Sequence, residues 1–143
     1  MPGTWTKFAN APGFQVSTML LLTDGSVMCW QSGGVAWSRL ALDATGSYVN
    51  GTWSPLAPML NTRLYYASAV LRDGRRVVCD GEYGNAGSPD GSSTQNETNR
   101  CEMYDLVINV WRTITPSAGW TTMGDAPSPC SLTAGYRLAT TTG

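Results

Sequence analysis

The sequence predicts an all-β fold of stacked four-stranded units, and three observations lead there. One pattern occurs twice. Its first copy runs Gly3-Thr4-Trp5, Leu21-Leu22-Thr23-Asp24-Gly25-Ser26-Val27-Met28, then Leu42-Asp43. Its second runs Gly51-Thr52-Trp53, Val70-Leu71-Arg72-Asp73-Gly74-Arg75-Arg76-Val77, Met103-Tyr104-Asp105, then Asn109-Val110-Trp111. The spacing is regular: Trp5, Trp53 and Trp111 are 48 and 58 residues apart, and the Asp-Gly pairs are 49 apart. Periods near ~50 residues mark supersecondary units that bury their apolar faces by stacking. Finally, apolar residues come in short alternating runs broken by Gly, Ser, Thr, Asn and Pro, the texture of strands and turns.

The elements follow in order. In the first unit, residues 17–22, 26–31, 35–42 and 52–54 read as strands, with a short second connection at Gly33-Gly34. In the second, residues 65–71 form a strand with Ala67, Ala69 and Leu71 on one face. Asp73-Gly74 reads as a two-residue hairpin turn, glycine supplying the positive φ. Strands at 76–79, 100–104 and 110–114 complete the unit. The polar stretch from Asn85 to Asn99 has little apolar content and is expected to be a mobile loop. A third unit opens after Trp120, with strands expected at 129–133 and 136–140.

Composition narrows the function classes. The chain has 143 residues, the size of one domain, and a formal net charge of −1. A nucleic-acid binder would show a basic face; here only Arg72, Arg75 and Arg76 cluster, beside a tight turn, and read as a solvated hairpin tip. No apolar run is long enough for a membrane span. No basic segment followed by an apolar one marks a signal peptide, so the compartment is left open.

Histidine is absent, and the four cysteines (Cys29, Cys79, Cys101, Cys130) form no Cys-x-x-Cys pair. Their spacing is unlike that of zinc fingers. Cys79 and Cys101 fall on strands expected to be neighbours, so a disulfide is conceivable. Buried free thiols are the favoured state, because cysteine is a common small core residue.

The motifs resemble kelch repeats, the four-stranded blades of β-propellers. The resemblance rests on Asp73-Gly74 followed by an apolar strand ending at Asp80-Gly81, then Tyr104-Asp105 and Asn109-Val110-Trp111. It is similar in wording to bacterial kelch-repeat proteins of the galactose-oxidase-like propeller superfamily, through Gly46 to Trp53, Ala67 to Leu71 and Gly81-Glu82-Tyr83. Asp80 stands where the family usually has glycine, and Thr133-Ala134-Gly135-Tyr136 lacks the Asp-Gly pair. The resemblance implies an incomplete kelch propeller over residues 1–143. Blade one covers about 14–54, blade two about 64–115, and the start of blade three about 120–143. A closed ring takes at least about four blades, so the chain reads as a segment of a longer propeller, or as one that self-associates through open blade faces.

Propellers similar to this one include copper-radical sugar oxidases, whose metal is held by histidine and tyrosine. Without histidine this chain cannot supply that set. No catalytic residue, cofactor or metal is assigned. Asp80, Glu82 and Asp90 are close in sequence and read as charges keeping a strand end and polar loop soluble. Gly81, Gly84 and Gly87 mimic a phosphate loop, but no helix follows them. Trp5, Trp53 and Trp111 hold the repeated position and are expected to be structural; Trp30, Trp37 and Trp120 are expected to pack between blades.

The expected function is a noncatalytic binding or scaffold segment for a protein or carbohydrate. The alternative is part of a sugar-oxidase-type enzyme with its catalytic residues elsewhere. Blade topology puts the connections from strand two to three and from blade to blade on one face. The candidate binding residues there are Asn61, Arg63, Glu82, Tyr83 and Asp125. The opposite face carries Arg72, Asp73 and Arg75.

Overall fold

The structure is a computed structural model that describes residues 3–83, 97–116, 118–122 and 124. The described residues are all-β, without helix, and form two four-stranded antiparallel sheets arranged as partial propeller blades. The first sheet holds β1 (Val16–Leu21), β2 (Val27–Gln31), β3 (Trp37–Ala41) and β4 (Thr52–Leu56). The second holds β5 (Ala67–Val70), β6 (Arg76–Cys79), β7 (Cys101–Asp105) and β8 (Val110–Ile114). Each sheet keeps its strands in chain order. The first strands, β1 and β5, approach each other between the sheets. Pro55, which cannot donate to a ladder, sits on the edge strand β4. The strands expected at 129–133 and 136–140, and the insert from 85 through 96, lie outside the described residues.

Strand β5 is shorter than the sequence predicts. Tyr65 has φ +54°, so the chain leaves the extended region just before the strand begins. The hairpins also differ from a two-residue turn. Gly74 N–H donates to Leu71 O at 2.9 Å and Leu71 N–H to Arg75 O at 2.7 Å, enclosing three loop residues. Gly74, at φ +86°, takes the left-handed position that such a loop ends on. Gly25 does the same in the first sheet, between Leu22 and Ser26.

The principal core lies between the sheets. Leu22, Met28, Trp30 and Trp37 from the first meet Val78, Tyr104 and Trp111 from the second, with Met59 of the connecting segment. The Trp37 and Trp111 rings lie 5.8 Å apart, and Trp30 meets Tyr66 edge-on at 5.4 Å. Trp30 and Trp37 therefore pack between sheets. A second cluster lines the far face of the second sheet: Ala67, Ala69, Val77, Cys79 and Cys101, flanked by Leu71, Ile114 and Trp120.

The fourth strand of each sheet is tied to the segment before that sheet. Trp111 Nε1 donates to Ala57 O at 2.9 Å, and Trp53 Nε1 to Asn10 O at 2.9 Å. Asn109, at φ +53°, accepts through Oδ1 from both Ala57 N–H (2.8 Å) and the Tyr104 hydroxyl (2.7 Å). Trp5 departs from expectation. It is 102% exposed, because the segment it occupies belongs to no sheet that could use it. Arg76 departs as well. It is buried rather than part of a solvated tip, because its strand position faces the first sheet; at this hairpin Arg75 and Asp73 pair in the open.

Candidate functional site

The candidate binding residues gather around the segment joining β4 to β5. Leu64 forms a bridge with Tyr83: Leu64 N–H donates to Tyr83 O at 2.8 Å and Glu82 N–H to Leu64 O at 3.0 Å. Gly81 makes this approach feasible. A Cβ there would lie 3.0 Å from Leu64 O and 3.1 Å from Arg63 Cβ, and its φ of +133° excludes other residues without strain.

Below the bridge lies an ionic knot. Arg63 is 3% exposed and Glu102 fully buried, and their charged groups are in direct contact. Arg63 Nη1 also donates to Asp80 O and Arg100 O, each at 2.8 Å. Glu102 Oε2 accepts from Leu60 N–H at 2.6 Å, and Oε1 from Asn61 N–H and Nδ2. Asn61 Oδ1 in turn accepts from Arg100 Nη1 at 3.0 Å. A buried carboxylate that accepts several N–H groups and a guanidinium satisfies the requirement that interior charges be paired.

Arg63 is therefore interior. Its charge is spent on Glu102 and two carbonyls, so it braces the face rather than presenting itself to a partner. Asn61, Glu82 and Tyr83 are half-buried at the same end of the molecule, joined through Glu102 and Leu64. Asp125 and Asp90 lie outside the described residues. The sequence reading missed Glu102, although strand alternation puts it on the same face as Tyr104, toward the first sheet. It also missed Tyr65 and Leu60, which are 57% and 56% exposed beside this face. The rings of Tyr65 and Tyr83 meet at 6.0 Å, edge to face.

A second group lies next to the knot. Cys79 and Cys101 form a disulfide rather than two free thiols. They are direct cross-strand partners in the β6–β7 ladder, which brings their side chains together. Among the described residues Cys29 is the buried free thiol, and burial pushes it up to about 11. Asp80 is not a solubilising surface charge. It is 1% exposed, has φ +62°, and neither carboxylate oxygen has a hydrogen-bond partner. Burial pushes its carboxyl up to about 7, against the opposing pull of the Arg63 charge. The ligating atoms of Cys79, Asp80 and Cys101 all lie within 4.8 Å of one another.

The chain matches no protein-family profile. It matches no curated protein. Among solved structures it is similar to a fungal alcohol oxidase of the AA5 family determined in complex with copper. The identity is 25% and the TM-score 0.47, over 66% of this chain and 17% of the oxidase. The chain thus spans about one sixth of that oxidase's length.

Proposed function

We propose that this chain is a noncatalytic binding segment of a kelch-type propeller, taking a protein or carbohydrate partner on the face formed by Asn61, Glu82 and Tyr83. The observation that carries this reading is the edge-to-face pair of the exposed Tyr65 and the half-buried Tyr83 on a braced backbone. Tyr65 sits in the left-handed region, a strained state for a bulky residue that persists where surrounding structure enforces it. The brace is the Arg63–Glu102 knot and the Leu64 bridge. Exposed aromatic faces on a rigid support lose little entropy on contact and anchor both protein and sugar partners. Arg100 and Asn61 beside them supply hydrogen-bonding groups.

The test is a screen of the full chain against glycan and peptide arrays, repeated with Tyr65→Ala and Tyr83→Ala. Binding that both variants lose, with their circular dichroism unchanged, is the expected result. Binding equal in all three proteins, or none in any, would remove the reading.

The proposal includes self-association. Met19 and Leu21 are both 64% exposed on the face of the first sheet turned away from the second. Strand register makes this face equivalent to the one the second sheet buries against the first. A second copy is therefore the expected occupant. Sedimentation should show concentration-dependent association that a Met19→Lys, Leu21→Lys variant suppresses; a monomeric wild-type chain would exclude it.

A further inference from the structure

We propose that Cys79, Asp80 and Cys101 form a metal site of the zinc class when the disulfide is reduced. Three observations carry this beyond the binding face.

The first is geometry. Side chains of successive strand residues alternate between faces, so residue 80 would ordinarily point away from its neighbour Cys79. The left-handed backbone at Asp80 breaks that alternation, and its carboxylate lies with the two sulfurs inside a 4.8 Å cluster.

The second is that the Asp80 side chain does no visible structural work. Its backbone is fully used: its N–H donates to Arg100 O at 2.8 Å and its O accepts from Arg63 Nη1. Those bonds would form with any residue, and glycine would form them without strain. The side chain adds a buried acid with two oxygens lacking any partner. An unpartnered buried carboxylate is costly. A cation bound between it and the sulfurs would satisfy both.

The third is the donor set. Two thiolates and one carboxylate suit a borderline-soft ion that accepts four-coordination, as Zn²⁺ does. They do not suit Mg²⁺ or Ca²⁺, which require shells of oxygen. The apolar shell of Ala67, Val77 and Ile114 limits solvent access around the ligands.

The conversion balances. A phosphine reductant breaks the S–S bond, takes an oxygen from water to become the phosphine oxide, and leaves two thiols. Binding one divalent ion then releases both thiol protons, together with any proton held by the Asp80 carboxyl, and a water molecule fills the fourth position beside the two thiolates and the carboxylate.

The test uses the full chain with Co²⁺ as a spectroscopic probe and Zn²⁺ as competitor, in a Cys29→Ser, Cys130→Ser background that removes the other thiols. The expected result is one ion per chain with thiolate charge-transfer bands in the reduced protein, and none in the oxidised protein. Asp80→Gly should weaken binding by at least about tenfold while raising the melting temperature. Cys79→Ser should abolish the bands. If reduction unfolds the chain, Zn²⁺ should restore the native circular dichroism. Binding in the oxidised protein would overturn the proposal. So would unchanged affinity in Asp80→Gly, no binding above the Cys79→Ser level, or failure of Zn²⁺ to refold a reduced, unfolded chain.

Discussion

The two sheets are superposable in register yet differ in what they bury. Trp53 aligns with Trp111 through their pairings with Leu40 and Tyr104. On that alignment the cross-strand pair Trp30–Trp37 of the first sheet falls where Cys79–Cys101 lies in the second. Ser38 likewise falls where Glu102 lies. The first sheet fills its positions with large aromatics and a small hydroxyl. The second fills the same positions with a covalent bridge and a carboxylate that grips Arg63. One backbone thus supports a mainly apolar blade and a polar one. The second sheet carries the face proposed for binding.

This contrast can be broken experimentally, with the largest effect at Glu102. Glu102→Ala strands Arg63 in the interior and should cost about 3–5 kcal/mol, whereas Ser38→Ala should stay within about 0.5 kcal/mol. Urea denaturation of the two variants measures the difference, and equal losses would mean the knot is not what distinguishes the sheets. Next is Asn109→Ala, which removes the acceptor shared by Ala57 and Tyr104 and puts alanine at φ +53°. It should cost about 2 kcal/mol. In the first sheet the tie runs the other way, from Asn10 Nδ2 to Gly51 O at 3.1 Å. Asn10 is exposed, so Asn10→Ala should cost about 0.5 kcal/mol or less.

Tyr65→Gly separates binding from stability. It relieves the left-handed strain, and thermal melts should show stability unchanged or raised by up to about 1 kcal/mol. A clear loss would make Tyr65 a packing residue instead. The smallest effect is expected at the first hairpin. Partial burial of Asp24 raises its carboxyl pKa, but hydrogen bonds from Ser26 and the charges of Arg39 and Arg76 outweigh that and hold it below the usual carboxylate range. A lowered folded pKa gives stability that is present above the unfolded value and lost as pH falls through the folded one. The Asp24–Arg39 pair is open to solvent, so Asp24→Asn should cost only about 0.5 kcal/mol at pH 7. That difference should vanish in acid; a gap persisting at low pH would show that charge is not its source.

Much of the architecture could be read from the chain because it depends on local signals. The Asp-Gly pairs mark the hairpins, and alternation marks the face of β5 that carries Ala67 and Ala69. The fourth strands are flagged by Trp53 and Trp111. The errors arose where a residue's environment is made by distant partners. Asp80 reads as a strand-end charge until the β7 strand and Arg63 close over it. Glu102 looks like a surface carboxylate until the connecting segment delivers Leu60, Asn61 and Arg63 to it. Trp5 shares the motif of the other two tryptophans but lacks a sheet. Arg63 reads as a residue of a binding loop, yet the burial that makes it a brace depends on Glu102, some forty residues away.

The bond from Trp111 to Ala57 has a consequence for synthesis on the ribosome. Its partners are 54 residues apart, and Asn109 closes on Ala57 across 52. At roughly 5–20 residues per second, Ala57 waits about 3–11 s for the tryptophan that fastens it. During that interval the first sheet is complete, but its inner aromatic face, with Trp30 and Trp37, has no cover. The nascent chain is therefore most exposed to chaperones and to misassociation between the making of β4 and the making of β8. Slowing translation between Leu56 and Ile114 should lengthen that window.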